Sequence, residues 1–235
     1  MVRRAALALF AAVLVSAASG SARADADAEA KDLEARHYAV RYALRTVDPP
    51  SRIDTGGAAV FVTAPYATVR KLVTDYRRYE KLIPVFEQSR LLSRKGGAAE
   101  VYLQVPVMHG AATIWAVARV APPIKDGTSE TIAARMVKGN VSDFRAVWRL
   151  RPVDATHTIL KLELLVDPDL PAPKSLIEYE LKSAADRAVC AMRDHAEEQA
   201  RADSSVAAAP PAPPTPPPAT TEARTDGNKS DVARQ

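Results

Sequence analysis

The sequence predicts an α+β fold: an antiparallel sheet of about seven strands covered by one long C-terminal helix, with two short helices after the first strand. Residues 85–167 contain six strand-like segments separated by short turns. Residues 56–83 start with strand-like character and continue at helical spacing, and residues 174–200 carry a single apolar stripe. A sheet with one apolar face and a helix with one apolar stripe bury each other, which gives a two-layer domain.

The first 24 residues are organised as a secretory signal peptide. The basic start MVRR precedes an apolar run, and Ala22-Arg23-Ala24 fits an A-x-A cleavage site. The apolar run, at about 14 residues, is shorter than the ~20 that span a bilayer. No cysteine near this site would support a lipid anchor. We therefore expect a signal peptide over 1–24 and a soluble, secreted product, periplasmic in a Gram-negative bacterium.

The other end of the chain predicts a disordered, proline-rich tail over residues 201–235. Seven of the chain's 18 prolines lie within residues 206–235, which contain almost no large apolar side chains. Such a segment favours extended polyproline conformations and buries too little surface to fold. Its sequence identifies no protein partner.

The net charge argues against nucleic acid as a partner. Without residues 1–24 and 206–235, the chain keeps 26 basic and 25 acidic side chains, so the remaining domain is close to neutral. Nucleic-acid binding depends on excess positive charge. The stretch TDYRRYEKLIPVFEQSRLL interleaves tyrosines with arginines, but we interpret its basic residues as the solvated faces of two short helices.

The region before the strands divides at prolines. Residues 25–51 form an N-terminal extension of ambiguous structure, which could open as a helix and end as a strand before Pro49-Pro50 breaks the chain. Residues 56–64 then predict a strand. Pro65 suits the first turn of a helix, and a second short helix covers 77–83.

Six antiparallel strands follow, because short turns rich in Gly, Asn and Asp join neighbouring antiparallel strands. The segments are VFEQSRLLS, AEVYLQVPVM, AATIWAVARVA, SETIAARMV, SDFRAVWRLRP and HTILKLELLVD. The last two alternate clearly, with Phe144, Trp148 and Leu162 on one face and arginines, Lys161 and Glu163 on the other. One face of the sheet is therefore predicted to be buried.

The C-terminal helix is predicted over residues 174–200, about 40 Å long at 1.5 Å per residue. Its apolar stripe is Ile177, Leu181, Ala184, Ala188 and Met192. The alanines at its centre allow either close packing against the sheet or space between the two layers. Cys190 lies within this pattern, which predicts an inert buried thiol.

Residues 52–198 resemble the START-like (SRPBCC) superfamily, which includes polyketide cyclase/dehydrase and Coq10-type lipid- or quinone-binding proteins. The similarity is carried by APYATVRKLVTDYRRYEKLIPVFEQSRLL, VKGNVSDFRAVWRLRPV and VDPDLPAP. Arg70-Lys71 departs from the family pattern, in which many members have a tryptophan after the valine. The resemblance implies a helix-grip domain over 52–200, in which a curved sheet surrounds the long helix and an apolar cavity.

The same resemblance implies that the cavity binds a lipid, sterol, isoprenoid quinone or polyketide. By alternation, the candidate ligand-binding residues are Met136, Phe144, Trp148, Leu162, Ile177, Leu181 and Ala184. Tyr76, Tyr79 and Ile83 are expected at the end of the domain where related folds often admit their ligand, so they are candidates for the cavity entrance. Transient membrane contact is a further expectation for such a protein.

The sequence contains little that indicates catalysis. Its four histidines have no metal-ligand spacing, and no nucleotide or hydrolase motif is present, so we expect no metal and no cofactor. A cyclase needs polar groups inside the cavity. The candidates, Arg119, Arg135, Tyr102, Tyr179 and His109, do not form a recognisable acid–base pair, and the two arginines are expected to face solvent. No catalytic residue is assigned.

The first hypothesis is therefore a non-catalytic carrier of a hydrophobic small molecule. The alternative is a polyketide cyclase or dehydratase acting in the same cavity. A third hypothesis, a protein-interaction module using the short helices or the tail, remains open at this stage.

Overall fold

The computed structural model describes residues 24–47, 49–107, 112–169 and 171–208. The helices are α1 (24–36), α2 (Tyr66–Val73), α3 (Tyr79–Leu82) and α4 (Lys174–Ala208), and a 3-10 turn (Tyr76–Arg78) joins α2 to α3. The strands are β1 (Val40–Leu44), β2 (Thr55–Val62), β3 (Gln88–Lys95), β4 (Ala98–Val107), β5 (Ala112–Val120), β6 (Ile124–Asp126), β7 (Ser129–Gly139), β8 (Val141–Pro152) and β9 (Thr158–Pro168).

The predicted fold class is confirmed. An open antiparallel sheet in the order β1-β2-β9-β8-β7-β5-β4-β3 is accompanied by a long C-terminal helix, as a helix-grip fold requires. The described sheet has nine strands where the sequence indicated about seven. The additional strands are β1, in the ambiguous N-terminal extension, and the three-residue β6, which pairs with β7.

Helix α4 extends to Ala208, eight residues beyond the end predicted from its apolar stripe. Residues 201–205 are exposed, so no apolar periodicity marks them in the sequence. Alanine is a strong helix former, and an alanine-containing segment can continue an established helix without burying a face. The predicted tail boundary at residue 201 is therefore too early, and residues 209–235 lie outside the described residues.

The core lies between α4 and the concave face of the sheet. Phe144, Trp148 and Leu150 of β8 and Leu160 and Leu162 of β9 are all less than a tenth exposed. This confirms the alternation read from the sequence, in which the same strands direct arginine and lysine side chains to the opposite face.

Two adjacent glycines in β2 set the distance between the helix and the sheet. A Cβ atom on Gly56 would lie 2.6 Å from the backbone nitrogen of Lys182 and 2.7 Å from the carbonyl carbon of Leu181. On the opposite face, a Cβ on Gly57 would lie 2.3 Å from the Tyr42 ring. Gly56 therefore admits the α4 backbone directly onto the sheet, and Gly57 admits an aromatic side chain from β1.

We predict that Gly56→Ala destabilises the protein more than Gly57→Ala. The added methyl at 56 meets helix backbone, which cannot move without displacing α4, and such overpacking costs about 1–3 kcal/mol. The methyl at 57 meets a side chain on an edge strand, which can turn aside. Urea denaturation of both variants measures the two free energies of unfolding. If both variants lost the same free energy of unfolding, the contact of Gly56 with α4 would be no more rigid than the contact of Gly57 with Tyr42.

Helix α1 packs on the convex face of the sheet. Ala30 and Leu33 of α1 form a buried cluster with Ala59 of β2 and Ile159 of β9. The Glu29 carboxylate also pairs with Arg151 and Lys161, which project from β8 and β9. The N-terminal extension is thus a helix followed by a strand, and both belong to the domain.

A buried carboxylate attaches α2 to the sheet. Glu130 of β7 is 1 % exposed, and it accepts hydrogen bonds from Tyr66 Oη at 2.6 Å and Arg70 Nε at 2.8 Å. Burial acts to raise the pKa of Glu130, but the hydrogen bonds from Arg70 and Tyr66 outweigh it and hold the pKa below its ordinary value. Arg70, where the sequence departs from the family pattern, therefore neutralises a carboxylate that this chain buries.

We predict that Arg70→Met lowers the free energy of unfolding by about 3–5 kcal/mol at pH 7, because it leaves the Glu130 charge buried without its partner. The double variant Arg70→Met with Glu130→Gln removes that charge and should recover part of the loss. The stability of the wild type should also fall relative to Glu130→Gln as the pH drops from 7 through the lowered pKa of Glu130. Denaturant titrations at several pH values measure both effects. A stability difference that is unchanged by pH would contradict an ionised Glu130.

Candidate functional site: an apolar cavity between the sheet and helix α4

A cavity of about 650 Å³ lies between α4 and the concave face of the sheet. Strands β4, β5, β7, β8 and β9 and helix α4 form most of its wall, and the 3-10 turn, α3 and the loop that follows α3 contribute to the remainder. Because α4 packs directly on β1, β2 and β9, the space is left over the opposite half of the sheet. The volume lies within the range of small-molecule sites.

Six of the seven predicted ligand-binding residues line this cavity. They are Phe144, Trp148, Leu162, Ile177, Leu181 and Ala184. Met136 lies outside the lining, and Ala134 of the same strand lines the cavity in its place. The Met136 sulfur lies 3.2 Å from the position of a Cβ on Gly139, so the side chain follows its own strand towards the end of β7. Ligand contact by the six remains a prediction.

The three predicted entrance residues line the cavity but are buried. Tyr76, Tyr79 and Ile83 are 7 %, 6 % and 1 % exposed. The Tyr79 hydroxyl donates to the Val73 carbonyl oxygen, and its ring stacks on Phe86 with 5.9 Å between the centroids. The structure therefore places these residues in a closed part of the wall. They are buried because α3 turns its apolar side towards the sheet.

The exposed part of the lining identifies the mouth of the cavity. Leu176, Glu180 and Arg187 of α4 are exposed, and so is Pro106 near the end of β4. The three helix residues recur at spacings of four and seven and therefore share one side of α4. The mouth thus runs along this side of the helix, opposite the end of the β4–β5 pair.

Sequence reasoning missed the contribution of β4 and β5. Val101, Leu103 and Val105 alternate along β4 and all line the cavity, with Ala116 and Ala118 beside them on β5. The alternation in β4 was an available signal. Trp115 of β5 also lines the cavity, and its ring stacks on Tyr102 with 6.1 Å between the centroids.

The polar side chains considered for catalysis do not meet inside the cavity. Arg119 is exposed and pairs with Glu100 at 2.7 Å, and Arg135 is also exposed. Tyr102 donates to Gln104 at 2.7 Å, and Tyr179 is 56 % exposed. The expectation that Arg119 and Arg135 face solvent is therefore confirmed. His109 lies outside the described residues.

The charged side chains in the described lining are Glu180 and Arg187, both at the mouth. The remaining lining is aliphatic or aromatic, with tyrosine and tryptophan as its polar members. Burial raises the pKa of the Tyr76 and Tyr79 hydroxyls, so neither is a ready base at neutral pH. The described walls can hold an apolar molecule but offer no carboxylate or imidazole at its centre.

Cys190 lies on α4, and its thiol is half-buried. It donates to an oxygen of Asp186 at 3.4 Å, and burial raises its pKa. A raised pKa leaves little thiolate at neutral pH, which fits the predicted inert role. Cys190 is not among the residues that line the cavity.

The described residues contain no group of three or more His, Cys, Asp or Glu side chains placed to hold a metal ion. Over the same ranges, none of the helices is both long and apolar enough to span a membrane.

Two neighbouring alanines of α4 separate the helix contact from the cavity. Ala185 is fully buried in the core, whereas Ala184 is half-buried and lines the cavity. Close packing and open space, the two alternatives that the sequence left open, therefore both occur on α4: Ala184 of the predicted stripe borders the cavity, and its neighbour Ala185, outside that stripe, packs in the core.

The helix-grip architecture is shared with proteins of known structure. A fragment of the STAR-related lipid transfer protein from Xanthomonas axonopodis superposes with a TM-score of 0.58 at 18 % identity, covering 67 % of this chain and 92 % of that one. Human STARD10 has a TM-score of 0.59 at 12 % identity, with coverages of 72 % and 74 %. Human StAR-related lipid transfer protein 5 has a TM-score of 0.59 at 12 % identity, with coverages of 77 % and 98 %. These likenesses establish the fold.

The family model described as "Polyketide cyclase / dehydrase and lipid transport" matches residues 62–193, more than half of the chain. The protein belongs to this family. No curated protein matches the chain by sequence.

We predict that Ala184→Phe and Ala185→Phe have very different effects on stability. The ring at 184 enters the cavity and should change the free energy of unfolding by less than about 1 kcal/mol, whereas the ring at 185 overpacks the contact between helix and sheet and should cost at least about 3 kcal/mol. Thermal and urea denaturation of the two variants check this. Similar losses for both would mean that Ala184 faces packed core.

Proposed function

We propose that the protein is an exported, non-catalytic carrier that encloses a hydrophobic small molecule between the sheet and α4. The single observation that carries this proposal is the apolar lining of the 650 Å³ cavity, in which Phe144, Trp148 and Leu162 face Ile177 and Leu181. Removing apolar surface from water provides the driving force for such a ligand, at roughly 25 cal/mol per Å². The chemical class is a lipid, sterol, isoprenoid quinone or polyketide-like molecule.

Two of the structural neighbours support this class of ligand, since both are named as lipid transfer proteins. The family description covers both lipid transport and cyclase or dehydrase activity. The position of the charged groups favours binding alone, because Glu180 and Arg187, the charged residues of the described lining, are exposed at the mouth. Proton transfer to a buried carbonyl would need such a group within hydrogen-bond reach.

The location in the cell is part of the proposal. The basic start, apolar run and A-x-A sequence of residues 1–24 support export to the periplasm. Ala30 and Leu33, which pack on the convex face, both follow Ala24, so a chain cut after Ala24 would keep these residues.

We predict that the natively expressed, full-length gene product purifies with a hydrophobic molecule bound in a ratio of one to one. Native mass spectrometry gives the mass of the complex, and organic extraction followed by mass spectrometry identifies the ligand. An unaltered cellular lipid would support a carrier. A ligand released as a dehydrated or cyclised product would instead support the enzyme.

The matched variants Ala184→Trp and Ala202→Trp make this experiment specific. Both place a tryptophan on α4, but residue 184 lines the cavity and residue 202 is exposed near the helix end. The ligand should be lost from Ala184→Trp and retained by Ala202→Trp. Equal occupancy in both variants would locate the ligand elsewhere and overturn the proposed site.

Export is tested separately. Fractionation of the native host should recover the protein from the periplasm, and N-terminal sequencing should give a start near Asp25. A cytoplasmic protein that retains residues 1–24 would contradict the proposed export but would leave the cavity experiment unaffected.

A further inference from the structure

The surface formed by α2, the 3-10 turn, α3 and β3 concentrates positive charge that the cavity does not use. Seven exposed basic side chains lie on these elements: Lys71, Arg77, Arg78, Lys81, Arg90, Arg94 and Lys95. We name this surface the basic edge, because β3 is the last strand of the sheet on this side.

Direct contacts make the basic edge one continuous surface. Arg94 of β3 donates to the carbonyl oxygen of Thr74, which follows α2, at 3.2 Å. The same guanidinium lies over the Tyr76 ring, 5.6 Å from its centroid. Ser89 of β3 donates through its hydroxyl to the Tyr76 carbonyl oxygen. The helical segment and the edge strand therefore hold their basic side chains side by side.

Few carboxylates balance this charge. Three lie on the same segment: Asp75 pairs with Arg78 at 3.6 Å, Glu80 accepts from the Ser89 backbone at 3.3 Å, and Glu87 accepts from Gln104 at 2.7 Å. The basic edge thus has a net charge of about four positive, whereas the whole domain between the predicted ends is nearly neutral. A local excess of this size on a neutral molecule indicates an anionic partner.

Two features of the basic edge favour a lipid surface over a nucleic acid. Tyr76 and Tyr79, the aromatic residues interleaved with the arginines, are buried and present no ring on which bases could stack. Leu92, in contrast, is 53 % exposed at the β-bulge of β3, the strand that also carries Arg90, Arg94 and Lys95. An exposed apolar side chain on a cationic surface is typical of contact with the boundary between headgroups and acyl chains.

We propose that the basic edge docks the protein on bilayers that contain anionic phospholipids, with Leu92 entering the headgroup region. The cationic side chains bind lipid phosphates, and each lysine or arginine near an anionic surface strengthens binding by about fivefold. Docking by this surface does not require an occupied cavity, so failure of the ligand experiment would leave this inference standing.

The test is sedimentation of the purified protein with vesicles of phosphatidylcholine alone or mixed with phosphatidylglycerol. We expect binding to the mixed vesicles, weak binding to the neutral ones, and loss of binding as salt shortens the screening length. The variant Lys71→Gln, Arg77→Gln, Lys81→Gln and Lys95→Gln should weaken binding to the mixed vesicles by at least about 100-fold.

Matched controls separate this surface from net charge. The variant Lys31→Gln, Lys125→Gln, Arg135→Gln and Lys138→Gln removes four exposed cations from other surfaces and should retain most of the binding. Leu92→Ser should weaken binding, whereas Val137→Ser, at an exposed position of β7, should not. Equal losses in the two charge variants, or equal binding to neutral vesicles, would overturn the proposal. Binding to single-stranded DNA or an acidic peptide without binding to mixed vesicles would also overturn it.

Discussion

The close approach of α4 to β2 at Gly56 determines how the helix lies on the sheet and where the cavity forms. With the helix backbone in direct contact with one strand, α4 packs on β1, β2 and β9 and leaves space over the concave face of the other strands. Any larger residue at 56 would lift the helix and redistribute the space along its whole length. The cavity is therefore a consequence of one tight contact, because a rigid helix that touches one half of a curved sheet stands away from the other half.

The buried Glu130 provides a second fixed point at the far side of the helix pair. Its bonds to Tyr66 and Arg70 attach α2 to β7, while α3 closes the wall through Tyr79 and Ile83. A buried ion pair contributes little net stability. It tolerates few alternative geometries, however, because a buried charge that loses its partner strongly destabilises the fold. The walls of the cavity are thus positioned by polar contacts outside it, and the interior can remain apolar.

Much of this could be predicted from the sequence. The alternation of β8 and β9 and the stripe of α4 identified both apolar layers, and six of the seven residues selected from them line the cavity. The mouth could not be predicted, because the burial of Tyr76, Tyr79 and Ile83 depends on how α3 meets β3 and the loop at Phe86. The partner of Arg70 was hidden for a similar reason: Glu130 lies 60 residues away in the chain and shares no local pattern with it.

One side of α4 packs against the sheet and an adjacent side borders the cavity, and this separation affects how the cavity can change in evolution. Ala185 and its buried neighbours maintain the fold, whereas Ala184 and Arg187 border the ligand space on an adjacent side of the same helix. Substitutions on the side of α4 that carries Ala184 and Arg187 do not disturb the close packing around Ala185. The scaffold can therefore explore new ligands through single substitutions that leave its stability nearly unchanged, which makes the helix a site of evolutionary adaptation as well as a structural support.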